Sequence, residues 1–276
     1  MQNFKSFLKE KFTGYTINVT TEDGIHLEGR YHRGSDIVVA HTHGTASFYN
    51  NEAFEPDLLK YCEQKEYGFL TFNNRGAHLI GKQIGAVYEK FSDSPKDIDA
   101  WLRMLRNEGI KKVILSGHSL GTEKIANYVK TNNNDMIQSC LFFAPSDTIG
   151  NQIRYEKKIG KNFIDEAKDL VSKNKEKQLL QDKKAHAGVL SMSAEAYLDF
   201  YETGNYLENA LPFRNHNLGI FPIECFALVP TNDHYNITST KDYTEDLRKS
   251  NVNVLVCDTD HDFNNFDTLR ALHKLM

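Results

Sequence analysis

The stretch VILSGHSLGTEKIANYVK, residues 113–130, decides the fold class of this chain. A short apolar run predicts a β-strand over 112–116, the motif G-x-S-x-G follows at 117–121, and a helical pattern continues to about Lys130. A serine on such a strand-to-helix turn needs small neighbours, and its hydroxyl projects above the sheet near the positive end of the helix. The pattern predicts that Ser119 is a catalytic nucleophile. The alternative interpretation is an ordinary tight turn that contains a serine.

The rest of the chain repeats this alternation of short apolar strands and helical patterns. Its first part predicts a hairpin, in which Glu22, Asp23 and Gly24 form the turn. Strands are predicted at 15–20, 25–31, 37–41, 68–73, 112–116, 139–144, 223–230 and 252–256. This order, with helices between most of the strands, predicts one α/β domain over 1–276 around a mainly parallel sheet.

Helices are predicted from their caps and their apolar stripes. One begins near Pro56, and another has Ser94 as its N-cap and Pro95 as its first residue, and ends at Gly109. The last helix is predicted to carry an apolar stripe formed by Phe263, Phe266, Leu269 and Leu272.

The alternation is interrupted once, between about 146 and 215. No strand pattern occurs there, whereas 163–171 and 194–201 show helical spacing of apolar residues. We therefore expect a helical insertion at about 146–215, on the side of the sheet where the strands end. Residues 157–184 are rich in lysine, which indicates a solvated face, and a docking site for an acidic partner is the alternative.

A nucleophilic serine needs a base, and the base needs an acid that orients it. In this fold class the groups follow in the order serine, acid, histidine. Asp233 follows the seventh predicted strand and His261 follows the eighth, which brings both to the edge where open α/β sheets gather their sites. His234 directly follows the proposed acid and is interpreted as a histidine at the edge of the site. Three aspartates flank His261 and are rival orienters, although sequence neighbours rarely reach back to the ring: Asp258, Asp260 and Asp262.

An oxyanion hole is the third element that this chemistry requires. One backbone donor is expected at Leu120, directly after the nucleophile, and the other at Thr45, in the loop after the third strand. Gly44 permits close approach of that loop. His41 and His43 lie two residues apart in the same segment and suggest a metal pair, but no third ligand presents itself, so no metal is predicted.

These motifs together resemble the α/β-hydrolase superfamily, and the resemblance spans nearly the whole chain. The residues that carry it are His43-Gly44, Asn74-Arg75-Gly76, GHSLG at 117–121, Asp233 and His261-Asp262-Phe263. The segment 86–102, followed by 117–124, resembles a poorly characterised, DUF-type esterase branch. The resemblance implies a sheet of about eight strands, a helical lid after the sixth strand and no cofactor. The roles it implies are nucleophile for Ser119, base for His261, acid for Asp233 and oxyanion donors for Leu120 and Thr45.

The predicted activity is that of a serine hydrolase that cleaves an ester bond of a small molecule through an acyl-enzyme. Thioester hydrolysis, acyl transfer and amide or peptide hydrolysis use the same residues and stay open, as does a ligand-binding protein with vestigial catalysis. His43 and Arg75 are candidate substrate contacts near strand ends, and holding the loop by hydrogen bonds is the alternative role for Arg75. Tyr197 and Tyr201 are candidates for the acyl pocket, with the core of the insertion as the alternative.

The composition excludes several other functions. Hydrophobic residues make up 40% of the 276 residues and charged residues 25%, which is ordinary for a globular enzyme. Lys and Arg total 33 against 37 Asp and Glu, so the net charge of −4 offers no platform for nucleic acid or an anionic membrane. No apolar stretch is long enough to span a membrane. Four dispersed cysteines predict buried free thiols and a cytoplasmic location. The expected partner is a small ester or thioester, bound by a monomer or a homodimer.

Overall fold

A central sheet of eight strands organises the chain. The computed structural model describes residues 14–78, 85–213 and 219–276. The strands are β1 (Tyr15–Thr20), β2 (His26–His32), β3 (Ile37–Thr42), β4 (Gly68–Phe72), β5 (Lys112–His118), β6 (Ile137–Phe143), β7 (Glu224–Asn232) and β8 (Val252–Asp260). All eight predicted strands are confirmed. The largest difference is at β8, which continues to Asp260, four residues beyond the apolar run that predicts it.

The sheet order brings the carboxyl ends of most strands to one edge. The strands lie in the order β1-β2-β4-β3-β5-β6-β7-β8. β2 is antiparallel to both β1 and β4, whereas β4, β3, β5, β6, β7 and β8 are parallel to their neighbours in that order. Side chains that follow these parallel strands therefore meet at the same edge, where open α/β sheets build their sites.

Helices cover both faces of the sheet. They are α1 (Glu55–Gln64), α2 (Gly85–Tyr88), α3 (Ser94–Asn107), α4 (Leu120–Thr131), α5 (Thr148–Ile159), α6 (Ile164–Ser172), α7 (Ala194–Tyr201), α8 (Thr240–Lys249) and α9 (Thr268–Leu275). Trp101 of α3, Tyr128 of α4 and Leu247 of α8 share one apolar cluster with the strands. Leu58 of α1 and Leu272 of α9 belong to a second cluster on the other face. The alternation of the strand side chains between these clusters gives the sheet two buried faces.

Three details of the predicted helices are wrong. Ser94 is the first residue of α3 and not its N-cap, a position that Asp93 occupies without a side-chain hydrogen bond. Phe263 and Phe266 precede α9 and pack beside it against the core. α8 was not predicted because it is largely charged, although Ser239 caps it through a hydrogen bond from the backbone N–H of Asp242.

Three helices lie between β6 and β7, where the sequence predicts an insertion. α5, α6 and α7 enclose a small apolar cluster of their own, which includes Phe163, Tyr197 and Phe200. Phe91 and Leu120 belong to the same cluster, so the segment packs directly on the start of α4. Every lysine of 157–184 is exposed, as expected of a solvated face.

The cysteines agree with the prediction from the sequence. Cys62, Cys140, Cys225 and Cys257 are all buried and unpaired. Within the described ranges, no helix has the length and apolar character that crossing a membrane requires.

Arg75 holds the loop after β4 against two other elements. Its guanidinium donates to both carboxylate oxygens of Asp97 in α3 and to those of Asp23 in the β1–β2 turn, at 2.9–3.2 Å. Asp93 lies 3.2 Å away on the same side. The side chain of Asp97 is fully buried, and burial raises its pKa to about 6 even though Arg75 opposes that rise. The loop-holding alternative for Arg75 is therefore the one that its contacts support.

We expect Arg75→Met to lower the free energy of unfolding by about 3–5 kcal/mol, because it leaves the buried Asp97 carboxylate without its cation. Urea denaturation at pH 8 measures the loss. The loss of unfolding free energy should be smaller at pH 5 than at pH 8, because Asp97 can take up a proton below its raised pKa and lose its charge. Arg33→Met is the matched control, since Arg33 pairs with Glu108 on the surface and should matter far less. Equal losses for the two variants would contradict this account.

Candidate active site

Ser119 occupies the sharp turn between β5 and α4. Its backbone has φ 52° and ψ −126°, a region that side chains other than glycine rarely adopt. The turn is held by a hydrogen bond from the Ser119 N–H to the Phe143 carbonyl oxygen, at 3.0 Å. The Ser119 carbonyl oxygen accepts hydrogen bonds from the backbone N–H and the hydroxyl of Thr122, at 2.9 and 2.6 Å. The surrounding structure thus fixes a strained residue at the end of β5.

Two glycines let neighbouring backbone approach this turn. A Cβ atom on Gly121 would lie 2.7 Å from the His43 carbonyl oxygen and 2.8 Å from that of Thr42. A Cβ atom on Gly44 would lie 2.8 Å from the Cβ of Ser119. Neither position accepts a side chain without displacement of backbone or of the nucleophile. The small residues of the motif are therefore required by the packing of the turn against the loop after β3.

Asp233 and His261 meet across the ends of β7 and β8. The Nδ1 of His261 lies 2.8 Å from Oδ2 of Asp233, and both side chains are buried. The carboxylate accepts two further hydrogen bonds, from the N–H of Tyr235 at 2.9 Å and from Nδ2 of Asn236 at 3.0 Å. An ionised carboxylate accepts a hydrogen bond from the N–H at Nδ1 of an imidazole. This arrangement leaves Nε2 of His261 without a proton and able to act as a base.

The rival acids have other partners. Oδ1 of Asp258 accepts a hydrogen bond from the Thr231 hydroxyl, and Asp260 accepts two from Asn264. Asp262 is exposed at the cavity. His234 is also exposed and packs against Tyr235 with a tilt of 37° between the rings, and the Tyr235 ring lies 4.6 Å from that of His261. Among these acids, Asp233 is the one placed on the imidazole.

Ser119 and His261 line the same cavity, which has a volume of about 460 Å³. Within the described part of the chain, no hydrogen bond joins their side chains directly. Such contacts are often long in ligand-free enzymes and tighten when substrate binds. The wall comprises Gly44, Thr45, Ala46, Ser47, Asn51, Glu52, Ala53, His118, Ser119, Ser146, Thr148, Asn151, His186, Ala187, Val189, Tyr235, His261, Asp262 and Asn264.

The two residues predicted as oxyanion donors are both near Ser119 in the fold. Thr45 lines the cavity, in the loop whose Gly44 approaches Ser119. Leu120 is the first residue of α4, where backbone N–H groups have no partner within the helix, and its side chain points into the apolar cluster of the insertion. Nδ1 of His43 pairs with the Gly44 carbonyl oxygen at 2.7 Å, which braces the loop.

The four candidate substrate contacts are not among the residues that line this cavity. His43 is buried, and its Nε2 accepts a hydrogen bond from the N–H of Asn74. Arg75 belongs to the aspartate cluster described above. Tyr197 is in the core of the insertion, where its hydroxyl contacts Gln152 and Glu156. Tyr201 lies behind the wall, with its hydroxyl 2.7 Å from Nδ1 of His186.

A buried ion pair was not predicted and lies beside the nucleophile. Nδ1 of His118 is 2.9 Å from Oε2 of Glu52, and Nε2 of His118 is 2.9 Å from the carbonyl oxygen of His261. Burial alone would favour a neutral imidazole, but the charge and hydrogen bond of Glu52 raise the pKa of His118 to about 9. His118 correspondingly lowers the pKa of Glu52 to about 2 against the effect of burial. The resulting imidazolium ties the loop that carries His261 to the residue before Ser119.

The nearby histidines do not make a convincing metal site. Ligand-type atoms of His118, His261 and Asp262 lie within 4.8 Å of one another. Both nitrogens of His118, however, are engaged by Glu52 and by the His261 carbonyl oxygen, so the trio does not offer three free ligands. His41, which the sequence suggests as half of a metal pair, forms a hydrogen bond with the hydroxyl of Ser116 and packs edge-on against aromatic rings.

Comparison with known proteins identifies relatives by structure alone. No protein-family model matches the sequence, and no curated protein matches it. The esterase Pf2001 of Pyrococcus furiosus is similar with a TM-score of 0.62 and 17% identity, over 97% of this chain and 88% of its own. The α/β hydrolase GrgF of Penicillium sp. sh18 has a TM-score of 0.68 and 14% identity, over 95% and 96%. Est1E of Butyrivibrio proteoclasticus, with ferulic acid bound, has a TM-score of 0.65 and 11% identity, over 94% and 98%.

These similarities extend over nearly the full length of both partners in each comparison. At such low sequence identity they establish the fold. The chain therefore has the α/β-hydrolase fold, in agreement with the motifs at 117–121 and around His261.

We expect Glu52→Gln to convert His118 from a cation into a neutral imidazole at pH 7. Once the carboxylate is gone, burial dominates and the pKa of His118 falls below 6.5. Long-range ¹H–¹⁵N NMR of the histidine rings reports the protonation state. Glu55→Gln is the matched control, since burial raises the pKa of Glu55 to about 8 and its charge is largely absent at pH 7. A His118 that stays cationic in Glu52→Gln would refute the pairing.

The same pair predicts a pH window for stability. The pKa of His118 is raised, so its contribution is complete below pH 6.5 and is lost as the pH rises through about 9. The pKa of Glu52 is lowered, so its contribution is present above pH 4.5 and is lost as the pH falls toward 2. The difference in unfolding free energy between the parent and Glu52→Gln should be largest between pH 4.5 and pH 6.5, where both contributions are complete. Urea titrations from about pH 3 to pH 9 measure this difference.

Proposed function

We propose that this chain is a serine hydrolase that cleaves an ester bond of a small molecule through an acyl-enzyme. One observation carries the proposal: Ser119 on its strained turn and the Asp233–His261 pair converge on one cavity. A hydroxyl becomes a useful nucleophile when an oriented imidazole can remove its proton, and this arrangement has each of the required groups.

In the first half of the proposed reaction, Nε2 of His261 takes the proton of the Ser119 hydroxyl as Oγ attacks the substrate carbonyl. Negative charge develops on the carbonyl oxygen and is held by the backbone N–H groups of Leu120 and Thr45. Asp233 holds the imidazole in the tautomer that accepts at Nε2 and stabilises the imidazolium that forms. His261 then gives the proton to the leaving alkoxide, and the ester carbon–oxygen bond breaks.

In the second half, water replaces the departed alcohol. The imidazole of His261 removes a proton from this water, which attacks the acyl-enzyme at the same carbonyl. The oxyanion forms again in the same place and collapses with release of the Ser119 oxygen, which recovers its proton from His261. The products are a carboxylic acid and an alcohol, and the enzyme returns to its starting state.

The choice of an ester over a thioester or an amide rests on the structural relatives. Pf2001 is named an esterase, and Est1E is seen with a carboxylic acid, ferulic acid, bound to it. Thioester hydrolysis, acyl transfer and amide hydrolysis require the same residues. Rates on ester, thioester and amide analogues of one acyl group, with and without a competing alcohol, separate these reactions.

We further propose that the helical insertion acts as the lid of this cavity. Six cavity residues come from it: Ser146, Thr148, Asn151, His186, Ala187 and Val189. It is anchored at its start, where Glu123 of α4 accepts hydrogen bonds from the backbone and hydroxyl of Thr148. It is anchored again near its end, where Asp199 accepts from the backbone and hydroxyl of Ser92. These tethers support a lid that forms a stable far wall.

We expect Ser119→Ala to lower kcat/KM for p-nitrophenyl butyrate by at least about 10³-fold, because the covalent route is lost. A fluorophosphonate probe should label Ser119 in the parent and nothing in the variant, which peptide mass spectrometry reports. Ser172→Ala is the matched control, because Ser172 is an exposed serine in the last turn of α6. Full activity in Ser119→Ala would refute the proposed nucleophile.

Asp233→Asn should lower kcat by about 10³- to 10⁴-fold, because an amide favours the wrong tautomer of His261. Stopped-flow or steady-state kinetics on the same ester measures the loss. Asp258→Asn is the matched control, since Asp258 is an exposed aspartate near the same strand ends and contacts Thr231 instead of His261. If the larger loss appeared in Asp258→Asn, the assignment of the acid would be wrong.

A further inference from the structure

A tight turn of the insertion presents His186 to the cavity. The backbone N–H of His186 donates to the Leu190 carbonyl oxygen at 2.9 Å and closes the turn. The N–H of Ala187 donates to Oε1 of Gln152 in α5, at 2.6 Å. Gly188 has φ 78° and approaches the ring of Tyr155 so closely that a Cβ atom would lie 2.8 Å from it. The turn is therefore held from three sides, and His186 is part of a built wall.

The second anchor of His186 is the hydroxyl of Tyr201. This hydroxyl lies 2.7 Å from Nδ1 of the imidazole, and the Phe200 ring packs edge-on against the other side, at 5.3 Å between centroids. Burial lowers the pKa of His186 to about 4, so the ring is neutral at pH 7. Among the described residues, His186 is the group that the Tyr201 hydroxyl contacts by a hydrogen bond.

The hydrogen bond that the Tyr201 hydroxyl must donate determines the tautomer of His186. A buried O–H that does not donate loses the free energy of a hydrogen bond, so the Tyr201 proton is best placed on Nδ1. A neutral imidazole carries a single ring proton, which is then on Nε2. His186 thus offers an N–H donor that no protein acceptor uses in the described part of the chain. A substrate oxygen is the group that would satisfy it.

The rest of the cavity has the same chemical character. Short neutral side chains with hydroxyl or amide groups predominate on its wall: Thr45, Ser47, Asn51, Ser146, Thr148, Asn151 and Asn264. Apart from the ring of Tyr235, the apolar side chains of the described wall are small, with Val189 the largest of them. A long alkyl chain would leave these polar groups without water or partner, which costs free energy for each group. A compact ligand with several oxygens would satisfy them.

We infer that the substrate is an ester with a hydroxyl group on its acyl or alcohol part, and that His186 selects it by donating a hydrogen bond from Nε2. This inference rests on the proposed function, because the ester must be cleaved at Ser119. His186 touches the substrate away from the reacting carbon, so it determines specificity and leaves the chemical steps to Ser119, Asp233 and His261.

Two pairs of esters test the inference and distinguish the two positions of the hydroxyl. p-Nitrophenyl 3-hydroxybutyrate, as both enantiomers, is compared with p-nitrophenyl butyrate for the acyl side. 2-Hydroxyethyl butyrate is compared with ethyl butyrate for the alcohol side, with acid release followed by pH-stat. In at least one pair the parent enzyme should favour the hydroxylated ester in kcat/KM by about tenfold or more.

His186→Phe should reduce that preference by about 10- to 100-fold, since it keeps the ring shape but removes the donor. kcat/KM for the unsubstituted ester should fall by a clearly smaller factor than kcat/KM for the hydroxylated ester. His186→Gln keeps an N–H at a similar reach and should restore part of the preference. Tyr201→Phe should give an intermediate loss, because Nε2 is then no longer held as the donor. His26→Phe is the matched control on the exposed face of β2 and should change neither ester.

Each outcome decides between defined alternatives. Equal losses on both esters in His186→Phe would mean a structural role and would overturn the inference, as would a parent enzyme that prefers the unsubstituted ester in both pairs. Labelling of Ser119 by a fluorophosphonate shows for each variant that the site is intact. A folded parent enzyme that resists this label would refute the proposed function itself, and the inference with it.

Discussion

The packing of the Ser119 turn against the loop after β3 is the constraint on which the rest of the site depends. The turn holds a strained backbone because Gly121 lies against the carbonyl oxygens of Thr42 and His43, and because Gly44 lies against Ser119 itself. This contact sets the height of the nucleophile above the sheet. It also brings the loop that carries Thr45 to the cavity that Ser119 lines.

Buried charge connects this turn to the other half of the site. His118, which precedes Ser119, pairs with Glu52 and also contacts the backbone carbonyl oxygen of His261. Asp233 holds the imidazole of His261 through its Nδ1. A buried ion pair adds little to stability by itself but is costly to break on one side, which makes it an effective constraint on geometry. His261 is therefore held by both its ring and its backbone.

Much of this arrangement could be predicted from local sequence signals. Six of the strands contain short apolar runs, and β1 and β2 flank a hairpin turn at 22–24. Ser119, Asp233 and His261 follow strand ends in a recognisable order. The missed features depend on contacts between residues far apart in the chain. Glu52 and His118 lie 66 positions apart, and no periodic pattern in the sequence predicts that they form an ion pair. The charged helix α8 was missed because its buried face is narrow, and the role of His186 depends on the fold of the insertion.

The proposed reaction requires that Ser119 becomes covalently acylated during turnover. Mixing the enzyme with p-nitrophenyl butyrate, quenching with acid within milliseconds and mapping the peptides by mass spectrometry measures this directly. We predict that a butyryl group appears on the peptide that contains Ser119, at a rate matching the burst of p-nitrophenolate, and then decays as free acid is released. Turnover with no acyl group on that peptide, or with the group on another residue, would contradict it.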